Sequence, residues 1–228
     1  FFSCNEKGEK KATLAPNVYL RITSAGEVII IAHRSEMGQG IRTSLPLIVA
    51  DELGADWSKV QIVQAEGDEK KYGNQNTDGS FSVRMFYKPM REAGATAKLL
   101  LMRAAAQKWQ VPVEECNTEK GYVVHKGSSK KLDFGDLVEA ASLLPVPALT
   151  ELKLKERSQF NMIGKETPIV DLHDIVSGKA VFGIDAVAEG MKVAVIKRCP
   201  VVGGSVKSFD DTKTRGIPGV IKVISIKG

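Results

Sequence analysis

Two short stretches of this chain carry residues that could do chemistry. The first is Glu36-Met37-Gly38-Gln39-Gly40, and the second is Asn76-Thr77-Asp78-Gly79-Ser80-Phe81-Ser82. Each sets glycine beside small polar residues just ahead of an expected helix. The first N–H groups of a helix have no internal partners and carry partial positive charge. Glycine lets an anion or a planar ligand approach that backbone closely. Gln39, Ser80 and Ser82 add side-chain donors and acceptors. The pattern points to a shared pocket for a large anionic cofactor, touched mainly by main chain. The plain alternative is two well-made helix N-termini with no ligand. Glu36 and Asp78 lie near the two loops, but spacing alone assigns them no paired acid–base role.

Other chemistries fail on spacing. Gly38-Gln39-Gly40 lacks the third glycine of a dinucleotide fingerprint, because position 43 is Thr. There is no G-x-x-x-x-G-K-[ST] run, no Ser–His–Asp set and no H-E-x-x-H. Cys4, Cys116 and Cys199 are far apart and odd in number, without a C-x-x-C or a Cys/His pair at zinc spacing. The chain alone is therefore not expected to hold an iron–sulfur cluster or a structural zinc. His33, His125 and His173 are isolated and read as surface or core residues.

Elements must position the two loops. Val18, Leu20 and Ile22 alternate, Ser24-Ala25-Gly26 turns, and Val28 to Ala32 form a denser apolar run. These are two strands. Thr43 suits an N-cap, Pro46 falls in the first turn, and Leu45, Ile48, Val49 and Leu53 share a helical face that Gly54 ends. "KVQIVQA" reads as a strand, and "GDEKKYGNQNTDGS" as a polar loop. A long helix is expected over about residues 82–109, with Phe86, Met90, Ala93, Ala97, Leu100 and Leu101 as its buried stripe. Ala93-Gly94-Ala95 would admit a neighbouring backbone, and Pro89 should bend the helix or mark its true start. "GYVVHKGSSKKLDF" reads as a hairpin with Gly127-Ser128-Ser129 at its tip, and "GDLVEAASLL" as a short helix. Pro145 and Pro147 open a connector. From about Ile163 the texture changes to short strands and turns, in "KAVFGIDAV", "MKVAVIKRCP", "VVGGSVKSF" and "GVIKVISIKG". A domain boundary is expected near Asn161.

The whole chain sets bounds. At 228 residues it holds one good-sized domain or two small ones. A formal charge of +5 is modest, and its positive residues are scattered, so no nucleic-acid partner is expected. No apolar run approaches the roughly 20 residues that a membrane helix needs. The terminal "VIKVISIKG" alternates like a strand and needs a partner, which suggests a piece of a longer polypeptide; the alternative is a complete domain whose last strand is an edge. At the other end, Phe1-Phe2-Ser3-Cys4 precedes the polar string Asn5 to Lys11. A lipoprotein cleavage site puts Cys at the first mature position, so Cys4 is a candidate lipidation site. The string would then be a tether too polar to fold. The competing reading of Cys4 is a free thiol in the tail of a cytoplasmic protein.

The segment "EMGQGIRTSLPLIVADELGADWSKVQI" resembles the molybdenum hydroxylases, the xanthine oxidase and aldehyde oxidoreductase family. Within that family it is most similar to the large subunits of isoquinoline 1-oxidoreductase-like enzymes. The likeness continues in order through "TDGSFSV", "MREAGATAKLLLMRAAAQKW", "LKLKERSQFNMIGK", "GKAVFGIDAV" and "VVGGSVKSFD". The resemblance implies an α+β fold. Residues 1–16 would be a leader remnant or flexible tether, 17–160 a cofactor-binding α/β domain, and 161–228 the beginning of an α/β hammerhead domain. It implies that Gly38, Gln39 and Gly40, with Gly79, Ser80 and Ser82, bind a molybdenum–pterin cofactor, usually a dinucleotide form.

The implied reaction is hydroxylation of an aldehyde or an electron-poor N-heterocycle with oxygen taken from water. Electrons would leave through [2Fe–2S] clusters on a small partner subunit. The family's catalytic glutamate lies in a C-terminal portion outside these residues, so this piece alone is expected to be inactive and to need the rest of its polypeptide. In xanthine oxidase-type subunits the Gly-Gln-Gly segment follows the hammerhead, whereas here it precedes it. Related large subunits often carry export signals, which makes the periplasm or cell envelope the expected location. The competing class is a non-catalytic cell-envelope binding or scaffold module.

Overall fold

A computed structural model describes residues 12–226. Cys4 and the polar string after it lie outside the described residues. The chain divides into two compact units, residues 12–185 and residues 186–226 among those described.

The first unit is α+β. β1 (Thr13–Asn17), β2 (Leu20–Thr23) and β3 (Val28–Ala32) form an antiparallel meander. The chain then crosses over through α1 (Ile41–Leu53) and returns as β4 (Val60–Gln64), parallel to β3. Leu20, Ile22, Val28 and Ile30 are buried on one side of this sheet, as the alternation predicts. α1 buries Leu45, Ile48, Val49 and Leu53 as expected. Gly54, at φ 78°, closes it by donating to the carbonyls of Ala50 and Asp51.

The loop after β4 contains one short helix, α2 (Glu69–Tyr72), where the sequence suggests only turns. α3 (Phe81–Trp109) then runs for 29 residues, with Pro89 inside it rather than at its start. Its stripe of Met90, Ala93, Ala97, Leu100 and Leu101 is buried against α1 and the sheet. Gly94 is the point of closest approach: a Cβ there would come within 2.5 Å of the Val49 carbonyl oxygen. The backbone approach read from Ala93-Gly94-Ala95 is therefore present. Beyond α3, β5 (Cys116–Glu119), β6 (Tyr122–His125) and β7 (Lys131–Asp133) make a second antiparallel sheet. The expected hairpin is its β6–β7 half. α4 (Val138–Ser142) packs near β1 and closes the core with Val138 and Ala141.

Two expectations fail. Thr43 is not an N-cap, because α1 begins two residues earlier behind Gly40, which stands at φ 88°. Thr43 instead lies inside the helix, and its hydroxyl accepts from the Val170 amide at 2.9 Å. Pro46 consequently sits beyond the first turn. The second failure is the strand texture after Ile163. Among the described residues that region forms only α5 (Leu172–Val176), α6 (Thr212–Arg215) and one 3₁₀ turn, with no strand. Val193 and Val195 are 91% and 96% exposed. Alternating side chains make a strand only when a second strand completes its ladder, and no ladder forms here. No described helix is long and apolar enough to cross a membrane.

Candidate functional site

β3 ends at Ala32, and the next four residues lead into the first loop. Arg34 and His33 are each 1% exposed. Glu36, half-buried, turns its carboxylate back onto the loop that follows it. One oxygen accepts from the amides of Gly38 (2.7 Å) and Gly40 (3.0 Å), and the other from Arg42 (3.0 Å). Burial raises the Glu36 pKa, but the amides of Gly40, Arg42, Gly38 and Met37 outweigh it and hold the group below its ordinary value. The helix mouth thus has its own resident anion. The expected free N–H groups of the first mouth are in use, and what this loop offers a ligand is glycine backbone and Gln39.

Gln39 is exposed, and its amide is folded over its own loop. Nε2 donates to the Ser35 carbonyl at 3.2 Å, and Oε1 accepts from the Met37 amide at 2.6 Å. Gly38 stands at φ 96°, where a side chain would have open space but a strained backbone. Gly40 is buried, and a Cβ there would meet Ile169 Cγ2 at 3.0 Å.

The second loop arrives at the same place. Thr77 Oγ1 donates to the Ser35 carbonyl at 2.7 Å, so Ser35 receives one bond from each loop. Gln75 Nε2 donates to the His33 carbonyl at 3.2 Å. Arg34 makes the strongest link. Its Nε donates to Ser82 Oγ (2.9 Å), and its Nη1 to the carbonyl and side-chain oxygens of Asn74 (2.7 and 2.5 Å). Ser82 is consequently buried, while Gly79 and Ser80 are exposed. Both of these stand in the left-handed region, at φ 50° and 55°. No side chain caps α3; the Phe81 amide donates to the Asp78 carbonyl. This mouth therefore keeps the character of an anion site.

The six residues singled out from the sequence thus fall in two neighbouring loops, with Ser82 turned inward. Sequence reasoning missed three of the groups that join the loops, Arg34, Ser35 and Asn74, and gave Thr77, inside the second stretch, no role. A lone arginine right after the apolar run Val28–Ala32 was the available signal. Of the surface and core readings left open for His33, the structure selects the core. Both His33 ring nitrogens lack a hydrogen-bond partner. Burial, helped by the Arg34 charge, lowers its pKa to about 4, so the ring is neutral at pH 7. It packs between the rings of Tyr19 and Phe86, at 5.0 and 4.3 Å. Beside it opens a cavity of about 530 Å³, lined in part by Glu36, Arg42, Gln75, Asp171 and Phe182. Arg42 and Asp171, both in its lining, pair at 2.8 Å. Among the described residues no group of His, Cys, Asp and Glu could hold a metal ion directly.

An anionic pterin fits these residues better at one mouth than at the other. The uncapped start of α3 and the glycine before it leave backbone donors approachable, whereas Glu36 already fills the first mouth.

Known proteins give this geometry its context. The sequence model of the molybdopterin cofactor-binding domain family matches residues 2–182. The chain is 32% identical over 252 residues to isoquinoline 1-oxidoreductase subunit beta of Brevundimonas diminuta, covering 94% of this chain and 32% of that one. It is 34% identical over 216 residues to the membrane-bound aldehyde dehydrogenase (pyrroloquinoline-quinone) of Gluconacetobacter polyoxogenes, covering 92% and 28%. Quinoline 2-oxidoreductase from Pseudomonas putida 86 is a similar solved structure, at 25% identity and a TM-score of 0.43, covering 54% of this chain and 16% of that one. The chain spans about a third or less of the length of the curated relatives it matches, from 32% down to 18%. With its two glycine loops held at the end of one strand, it belongs to the molybdopterin cofactor-binding domain family.

Proposed function

We propose that the chain is the cofactor-holding part of the large subunit of a molybdenum-dependent oxidoreductase that hydroxylates an aldehyde or an electron-poor N-heterocycle. The observation that carries this reading is the meeting of both loops on the Ser35 carbonyl, within a chain of the molybdopterin-binding family. The bound cofactor supplies the two-electron redox chemistry. The residues of this chain bind and orient it. Gly79 and Ser80 present the start of α3, Gly38 and Gly40 let the first loop lie flat, and Gln39 offers its amide. Arg34 and Ser82 fix the two loops to one another. Glu36 holds the first loop in shape through its three amide bonds.

The finer parts of the reading follow the same logic. The cofactor is taken to be a dinucleotide form, whose extra phosphate suits an uncapped helix start. Electrons leave to a small subunit carrying [2Fe–2S] clusters, since the cysteines here are dispersed. The substrate meets the remaining, C-terminal part of the polypeptide, and residues 161–228 begin the hammerhead domain. We place the protein in the periplasm or cell envelope, with Cys4 lipidated. Fatty-acid labelling of the full-length protein in its native host should mark wild type and spare Cys4→Ala; unlabelled wild type would end that placement.

The cofactor reading is tested at Gly79. Its φ of 50° disfavours any β-branched residue, and a Cβ there would meet the Phe81 ring at 2.7 Å. In the full-length protein, Gly79→Val should lower molybdenum and pterin content by about tenfold, the effect of losing about 1.4 kcal/mol of binding. Circular dichroism should be unchanged, because the residue is exposed and outside the core. Full molybdenum occupancy in that variant would leave the loop as a helix start and nothing more.

A further inference from the structure

Away from the helix mouths, the β6–β7 hairpin brings together three residues that no sequence pattern connects. Ser128 Oγ lies 2.6 Å from His125 Nδ1, and His125 Nε2 lies 2.8 Å from Glu115 Oε2. An ionised carboxylate only accepts hydrogen bonds, so Nε2 carries the ring proton. Nδ1 is then the acceptor for the Ser128 hydroxyl. A hydroxyl on the free nitrogen of an imidazole whose other nitrogen is held by a carboxylate is the arrangement of an activated nucleophile.

The hairpin holds this geometry in place. His125 is 9% exposed, pairs with Cys116 across the β5–β6 ladder, and lies 6.0 Å from the Trp109 ring. The Lys126 amide donates to the Glu115 carbonyl at 2.9 Å, tying the acid's backbone to the residue after the histidine. A Cβ at Gly127 would come within 3.2 Å of His125 Cε1, so glycine lets the tip fold over the ring. Ser128 itself is exposed, as is Ser129 beside it.

We propose that Ser128 is an activated serine that is acylated or phosphonylated by small electrophilic esters and fluorides, with His125 as general base and Glu115 as the residue that orients it. In the step, Oγ attacks the carbonyl carbon or phosphorus and passes its proton to Nδ1. The new O–C or O–P bond forms as the bond to the leaving group breaks. An alcohol leaving group takes the proton back from Nδ1, and fluoride leaves with the proton released to water. No oxidant or reductant is involved.

The test treats the full-length protein with a small fluorophosphonate and follows peptides 126–130 by mass spectrometry. Ser129 is the internal control, since it shares the reagent and the exposure but has no imidazole partner. Ser128 should react about 100-fold faster than Ser129, the low end of what a positioned base contributes. Glu115→Gln, at a half-exposed site, should slow Ser128 while leaving Ser129 unchanged, and His125→Gln should bring the two serines level. Equal rates at the two serines in wild type would overturn the proposal. So would a Ser128 rate indifferent to Glu115→Gln, which keeps the proposal open to refutation even if His125→Gln disturbs the hairpin.

Discussion

Asp51→Ala is expected to cost about 3–5 kcal/mol of folding stability, the loss seen when one partner of a buried ion pair is removed. The Asp51 side chain is fully buried near the end of α1. It accepts from the amides of Asn161 (3.1 Å), Met162 (3.0 Å) and Ile163 (2.8 Å), and from Lys155 Nζ at 3.0 Å. Lys155 Nζ also donates to the Asp51 carbonyl. Next to it, buried Glu52 accepts from the Lys155 amide at 2.6 Å and from Arg91 Nε at 2.8 Å. Two adjacent carboxylates thus pin the connector 152–163 onto α1. Alanine would take the acceptor from three part-buried amides and leave the buried Lys155 ammonium with only the backbone carbonyl of residue 51. Asp51→Asn keeps the shape without the charge and should lose less. Urea midpoints at pH 7 would rank the three proteins; a midpoint for Asp51→Ala equal to wild type would show that the pocket refills with water.

The same group gives the chain an acid sensitivity of definite sign. Burial raises the Asp51 pKa, but the three amides and Lys155 outweigh it, and the net shift is downward. A carboxylate whose folded pKa is depressed stabilises the fold above its unfolded value, about 3.9. That contribution is lost as pH falls through the lower folded value. The gap between wild type and Asp51→Ala should therefore narrow only below about pH 4. A gap that closes already at pH 6 would contradict the assignment.

What could be read from the sequence was what local periodicity controls. The buried face of α1, its glycine stop at Gly54, the stripe on α3 and the close approach at Gly94 all follow from spacing within one element. Thr43 was misassigned because the true capping group comes from behind: Glu36 reaches forward over two glycines with positive φ. Asp51 and Lys155 are 104 residues apart, and each alone looks like a surface charge. The alternation of 191–226 shows which residues could share a strand face, but pairing is a long-range event that pattern does not supply. Ser128, His125 and Glu115 meet only because the ladder turns the hairpin tip back over its own histidine.

Arg34→Met is expected to loosen the second loop from the first while the core stays intact. The guanidinium is buried, its Cζ stands 5.5 Å from the Phe86 ring centre, and its three bonds all go to residues 74 and 82. Burial lowers its pKa, and the Asp78 charge opposes that, so a cation is kept in place by the loop it organises. Methionine restores much of the volume and removes the cost of burying charge, which limits the loss of global stability. The local loss remains. Hydrogen bonds to charged groups contribute about 1.5–3 kcal/mol, so amide exchange over residues 74–82 should rise about 10- to 100-fold. Exchange in the middle of α1 and α3 should stay near wild type. Arg34→Lys keeps the charge but cannot fork between Asn74 and Ser82, and should fall between the two. Cofactor content in the full-length variants should follow loop exchange rather than melting temperature, because the proposed cofactor contacts lie on the loops and not in the core. Unchanged exchange over 74–82 in Arg34→Met would mean that Thr77 and Gln75 hold the loop without it, and the arginine would lose its place in the site.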